Sequence, residues 1–271
     1  MKRIPILPTL LTLGNGVCGF AAIAYLSKVT FDGSLSPREV DVYFLIGAGL
    51  ILLGMVFDVL DGVAARLARS TSEFGGQLDS LCDAITFGAA PAFLLLRLGQ
   101  EWRDVPFAGK FIAVVAAVYL ACAVLRLARF NTENTPDPAS HKRFKGLPSP
   151  AAAGCVASLA ILRSDLSLGL SGLDPSVLQG FVRIWAPLGS LVVALLMVSH
   201  FSYPHFGRQL LRGKKQFQFI VQLVLVVAIV ALTPQLAFFL IFWAYALLGP
   251  VRSVMLQLRR RGVPEHTPHL H

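Results

Sequence analysis

The 271-residue chain is 55% hydrophobic and only 14% charged, with a mean hydropathy of +0.66. A soluble domain of this length devotes about a quarter of its residues to Asp, Glu, Lys and Arg, so the composition excludes an ordinary water-soluble globule and points to one integral membrane bundle. The formal net charge of +9 does not mark a nucleic-acid surface, because no basic stretch is interleaved with aromatics.

The N-terminal stretch MKRIPILPTLLTLGNGVCGFAAIAYL imitates a signal peptide, but its apolar run is too long and is interrupted by Gly14 and Asn15, so it reads as a retained first membrane helix. Runs of about 20 mainly apolar residues continue along the chain, giving eight predicted spans at 8–27, 43–69, 75–99, 106–129, 148–164, 181–200, 217–233 and 235–256. The fold expected is an all-α integral membrane bundle of about eight transmembrane helices. Every second connection is basic: Lys2 and Arg3; Arg66 and Arg69; Arg126, Arg129, Lys142, Arg143 and Lys145; Arg208, Arg212, Lys214 and Lys215; and Arg259, Arg260 and Arg261 in the tail. The alternate connections are near neutral, with Lys28 and Arg38 set against Asp32, Glu39 and Asp41, and no Lys or Arg in 165–180 or 233–234. The positive-inside rule then puts both termini in the cytoplasm, in agreement with an even helix count.

Cys18, Cys82, Cys122 and Cys155 fall in apolar stretches without a close Cys-x-x-Cys pair and read as buried free thiols. The prolines and small residues of GLPSPAAAG (146–154) suit a helix start and tight packing. FSYPHF and FFLIFWAY read as interfacial belt and lipid contact, and the last two helices as scaffold or dimer surface. The histidines of PEHTPHLH belong to a polar tail.

One stretch does not suit a membrane. FDVLDGVAARLARSTSEFGGQLDSLCD (57–83) carries four aspartates, and an Asp near the bilayer centre costs roughly 2.5–3.5 kcal/mol on insertion scales. At about 100° per residue, Asp58, Asp61, Gly62 and Ala65 share one stripe with Arg66 at its edge. Gly75, Asp79 and Asp83 recur at i, i+4 and i+8, which is also one face. The short connection STSEF makes the two helices antiparallel neighbours whose acidic stripes can meet near the cytoplasmic surface.

Crowded carboxylates repel one another, and divalent cations relieve both the repulsion and the desolvation. The all-oxygen set, with no His or Cys alongside, selects a hard ion such as Mg²⁺, Mn²⁺ or Ca²⁺ over Zn²⁺. Gly62 and Gly75 leave room for a ligand's phosphates, and Arg66 offers a bidentate phosphate contact. A salt-bridge network with Arg66, Arg69 or Arg126 accounts for one or two carboxylates, but four exceed the cations at hand. A divalent-cation transporter is the alternative of another class; it predicts carboxylates near the midplane and broken helices in matched halves, neither of which is visible.

The spacing Asp58-x-x-Asp61-Gly62-x-x-Ala65-Arg66, eight residues, Gly75, three residues, Asp79, three residues, Asp83 resembles the signature of the CDP-alcohol phosphotransferase family, integral membrane enzymes that move a phosphatidyl or related group from a CDP-linked donor to an alcohol. PTLLTLGNGVCGF (8–20), DAITFGAAPAF (83–93), LRLARFN (125–131) and GLPSPAAAG (146–154) resemble one branch, the membrane-type CDP-diacylglycerol–serine O-phosphatidyltransferases. Thr9 stands where that branch commonly has Asn.

The likeness spans roughly the first 210 residues, so 1–210 is expected as a six-helix catalytic core and 211–271 as two additional transmembrane helices with a short basic tail. The resemblance implies that Asp58, Asp61, Asp79 and Asp83 hold two divalent cations, Mg²⁺ or Mn²⁺, with Asp83 also the catalytic base. It implies that Gly62, Ala65, Arg66 and Gly75 line the CDP pocket, that CDP-diacylglycerol and L-serine are the substrates, and that the enzyme is a homodimer with a cytoplasmic-side active site in a bacterial cell membrane. Arg126, Arg129 and Asn131 could bind the acceptor carboxylate or the donor phosphate, or anchor a helix end. Glycerol 3-phosphate and inositol phosphate are the rival acceptors.

Overall fold

A computed structural model of the chain describes residues 6–67, 73–100, 102, 107–133, 146–168, 175–201, 203 and 234–261. The elements are α1 (Ile6–Ser27), α2 (Pro37–Leu67), α3 (Glu73–Asp83), a π-helical segment (Ala84–Ala89), α4 (Ala90–Gln100), α5 (Ala108–Glu133), α6 (Ser149–Leu168), α7 (Pro175–Val198) and α8 (Pro234–Arg261), with no strand among the described residues. The π segment joins α3 to α4 in one continuous rod.

Six helical stretches among the described residues are long and apolar enough to cross a membrane: Ile6–Ser27, Pro37–Leu67, Glu73–Gln100, Ala108–Thr132, Gly180–Val198 and Gln235–Ser253. The protein is an all-helical, multi-pass membrane protein. The span predicted at 235–256 lies within α8. The span predicted at 217–233, Arg69, the basic residues at 142–145 and 208–215, and the histidine-containing tail lie outside the described residues.

α6 is the innermost helix. Ala152, Ala153, Cys155, Val156, Ala157, Leu159 and Ala160 have no exposed surface, and their small size lets α2, α7 and α8 pack closely around them. Gly146 opens this segment with a φ of +91°, and a Cβ there would strike the carbonyl oxygen of Met197. The tight packing expected of GLPSPAAAG is what the fold uses. FFLIFWAY is not simply a lipid face: Trp243 is buried, its ring 5.2 Å from Trp185 of α7 and 5.6 Å from Phe239, and the Phe242 ring fills the space over Gly154. Leu240 and Ile241 face outward. All four cysteines are free and buried.

α2 begins at Pro37, earlier than the apolar run at 43 suggested. Ser36-Pro37-Arg38-Glu39 forms a capping box: Glu39 Oε2 accepts from the Ser36 amide at 2.8 Å, and the Glu39 amide donates to Ser36 Oγ at 3.3 Å. Pro at the first helical position costs no hydrogen bond. Asp41 is therefore helical and buried rather than a loop charge. It pairs with Arg163 of α6, whose guanidinium also lies 4.8 Å above the Phe44 ring.

α2 meets the α3–α4 rod at the π segment and α4, and α1 lies against both α2 and α3. Three glycines make this possible. A Cβ on Gly14 would sit 3.2 Å from the Phe57 ring of α2, one on Gly16 2.9 Å from Cys82 Sγ of α3, and one on Gly19 2.6 Å from Cα of Thr86 in the π segment. With no side chains on those faces, α1 packs closely against α2, α3 and the π segment beneath the two acidic stripes.

Candidate metal centre and active site

Asp58 and Asp61 project from the last turns of α2 and Asp79 from the middle of α3. One carboxylate oxygen from each lies within 4.8 Å of the other two. Asp61 is only 6% exposed, and Asp61 Oδ2 and Asp79 Oδ1 are buried without a hydrogen-bond partner. Buried polar atoms are nearly always satisfied, and clustered carboxylates repel unless a cation or proton intervenes. The donor set is all oxygen, with Thr12 of α1 beside Asp61, so these residues fit a hard divalent cation such as Mg²⁺ or Mn²⁺.

Asp83 is the fourth carboxylate, within electrostatic reach of Asp58 and Asp79. It is buried one turn beyond Asp79, and its Oδ1 accepts a 2.9 Å hydrogen bond from Asn15 Nδ2 of α1. Asn15 is itself wholly buried, and its main-chain oxygen accepts from Thr86 Oγ1 at 2.8 Å. The π segment begins at the residue after Asp83. Such segments widen the turn and free a carbonyl, and here Tyr119 of α5 donates to the Phe87 oxygen at 3.1 Å. In the sequence Asn15 stands out only as an interruption of an apolar run. Its signal was available: an amide in mid-membrane is costly unless something accepts its hydrogens.

Around this centre, Gly62, Ala65 and Gly75 are half-buried and Arg66 is exposed at the mouth. The space over Gly62 is open, since an added Cβ would meet only Arg66 Nη1, at 3.6 Å. Arg126 does not snorkel outward: its guanidinium donates to Ser149 Oγ of α6 and is within electrostatic reach of Asp83 and Asp58. Asn131, expected near the acceptor, is exposed and tied to α3, with Nδ2 donating to Ser80 Oγ at 2.8 Å immediately beside Asp79. Arg129 is half-buried on the same helix. Residues from the first half of α1, the end of α2, α3, the end of α5 and the start of α6 thus meet at one end of the bundle. Asp41–Arg163 and the 3.0 Å bond from Arg97 to the Ser27 carbonyl mark the other end.

Residues 5–198 match the family model described as CDP-alcohol phosphatidyltransferase. A CDP-diacylglycerol–serine O-phosphatidyltransferase of Helicobacter pylori (strain J99) is 28% identical over 254 residues, covering 93% of this chain and 92% of the relative. A protein of the same name from Bacillus subtilis (strain 168) is 30% identical over 204 residues, 74% of this chain and 92% of the relative. An archaetidylserine synthase of Methanothermobacter thermautotrophicus is 31% identical over 200 residues, 73% of this chain and 69% of the relative. The matched region contains every residue of the acidic centre, and the chain belongs to the CDP-alcohol phosphatidyltransferase family.

Proposed function

We propose that the protein transfers the phosphatidyl group of CDP-diacylglycerol to L-serine, giving phosphatidylserine and CMP. The observation that carries this reading is the close group of Asp58, Asp61 and Asp79 in a chain whose similar relatives from different organisms are named for serine transfer. Asp58, Asp61 and Asp79, with Asp83 alongside, would hold two divalent cations, Mg²⁺ or Mn²⁺. Such ions, when bound, neutralise the donor diphosphate and polarise its phosphorus.

The protein's own residues supply the rest. Gly62, Ala65 and Gly75 leave room for the CDP moiety, and Arg66, whose guanidinium lies over Gly62, binds phosphate oxygen. Arg126 and Arg129 orient the serine carboxylate, which has lost much of its water. Asp83 takes the serine hydroxyl proton as that oxygen bonds to the phosphorus bearing the lipid. The bond from this phosphorus to the bridging diphosphate oxygen breaks, and CMP departs with the electron pair. A carboxylate is a weak base, and it suffices because proton transfer accompanies attack on an activated phosphorus.

The basic connections quoted above support eight membrane spans, both termini in the cytoplasm and a site that opens to the cytoplasmic side of a bacterial cell membrane. On this reading residues 1–210 form the catalytic core, 211–271 add two spans and a basic tail, and the family likeness implies a homodimer. Glycerol 3-phosphate and inositol phosphate bring a phosphate in place of a carboxylate and would demand more cationic groups than Arg126 and Arg129. An acceptor panel tests the assignment: with CDP-diacylglycerol and Mn²⁺ or Mg²⁺, membranes containing the protein should release CMP with serine and not with the phosphorylated alcohols. Metal flux into liposomes without CMP release for any acceptor would support the transporter instead.

A further inference from the structure

We infer that Asn15 is a positioning residue for phosphatidyl transfer, reaching from α1 to fix the orientation of the Asp83 carboxylate. The inference rests on the reading of Asp83 as the base. A base must keep one oxygen aimed at the hydroxyl it deprotonates, so something must fix the rotation of its carboxylate.

The geometry assigns that task to Asn15. Its Nδ2 donates to Asp83 Oδ1 at 2.9 Å, which occupies that oxygen and leaves Oδ2 outside this bond. Asn15 cannot turn away, because it is held on the sides away from Asp83. Thr86 Oγ1 grips its main-chain oxygen at 2.8 Å. Its own Oδ1 is buried without a hydrogen-bond partner and lies 3.0 Å from where a Cβ of Gly54 would stand. A buried amide oxygen left unpaired is a cost the fold bears. Turning the amide over would satisfy nothing, since it would set a carbonyl oxygen against the Asp83 carboxylate. Asn15, Thr86 and Gly54 come from three elements, so the amide is set by the packing of α1, α2 and the π segment together. Such supporting residues characteristically cost activity rather than substrate affinity when removed.

The test compares Asn15→Ala, Asn15→Asp and Asp83→Asn in the full-length protein, with steady-state kinetics for CDP-diacylglycerol and serine and the Mn²⁺ concentration for half-activation. Asn15→Ala should lower kcat about 10- to 100-fold, with both KM values and the Mn²⁺ requirement within about threefold of the parent. Asn15→Asp, nearly isosteric but without the donor, should behave the same and serves if the alanine variant does not fold. In an Asp83→Glu background, whose longer side chain no longer meets the amide, removing Asn15 should add less than about a twofold loss, because residues acting as one unit are not additive. Unchanged kcat in both Asn15 variants with Asp83→Asn inactive would overturn the inference alone. A full additional loss in the Asp83→Glu background, or a loss expressed mainly in KM or Mn²⁺ requirement, overturns it as well. An active Asp83→Asn removes the base assignment itself and the inference with it.

Discussion

Asp61 and Asp79 stand on different helices, yet each presents a buried carboxylate oxygen with no hydrogen-bond partner, and their carboxylates fall within one group spanning 4.8 Å. Two like charges brought that close out of water need a shared cation, and α1 packs against both of the helices that carry them. The site is therefore a product of how α1 packs as much as of the acidic motif.

That dependence gives the first prediction. A methyl group at Gly19 would collide with the backbone of Thr86, at 2.6 Å from its Cα and 2.9 Å from its nitrogen. Backbone cannot move aside as a flexible side chain can. Gly19→Ala should cost about 1–3 kcal/mol and reduce activity beyond what the loss of folded protein explains, because Asn15 lies one turn away on the same face of α1. Thermal unfolding in detergent alongside specific activity separates the two effects.

Gly62 should behave in the opposite way. Its surroundings would accept a methyl group, with Arg66 Nη1 at 3.6 Å the one near atom, and alanine is the better helix former by about 1 kcal/mol. Gly62→Ala should leave stability unchanged or improved and yet raise KM for CDP-diacylglycerol about tenfold or more, if a diphosphate lies against that backbone. Equal KM values in the parent and variant would take Gly62 out of the donor pocket.

At the far end of the bundle, the Asp41–Arg163 pair joins α2 to α6, with both side chains nearly buried. Removing one partner leaves an unpaired buried charge. Asp41→Ala or Arg163→Ala should lower stability by about 3–5 kcal/mol, whereas the double replacement Asp41→Leu with Arg163→Met should recover most of that. CMP release per folded molecule should stay near the parent value in the double variant, since these residues are far from the acidic centre. Unfolding midpoints of the two singles and the double check this.

Much of the site could be read from one strand of logic in the sequence. Asp58 with Asp61, and Asp79 with Asp83, fall on single faces because helical spacing requires it, and an acidic face in an apolar chain demands a partner. What spacing cannot reveal is which third helix packs against both acidic helices. The packing of α1 depends on Gly14, Gly16 and Gly19 meeting Phe57, Cys82 and Thr86, a matching of surfaces distant in the chain. The hydrogen bond that holds Asp83 comes from Asn15, one amide with no periodic companion, and it lies beside a π segment that apolar patterning does not signal. Asp41 looked like a loop charge because hydropathy starts the helix late, while Ser36 and Glu39 start it at Pro37. The aromatics of α8 looked lipid-facing because composition does not distinguish a ring that meets lipid from one that fills the hollow over Gly154 or Gly189.

The most direct measurement is Mn²⁺ binding to the purified, chelator-stripped protein, followed by electron paramagnetic resonance in the parent and in Asp61→Asn and Asp79→Asn. The expected result is saturable binding by the parent, weakened at least about tenfold in each variant while the helical content is retained, together with loss of CMP release. Unaltered Mn²⁺ binding in both variants would contradict a metal centre shared between α2 and α3.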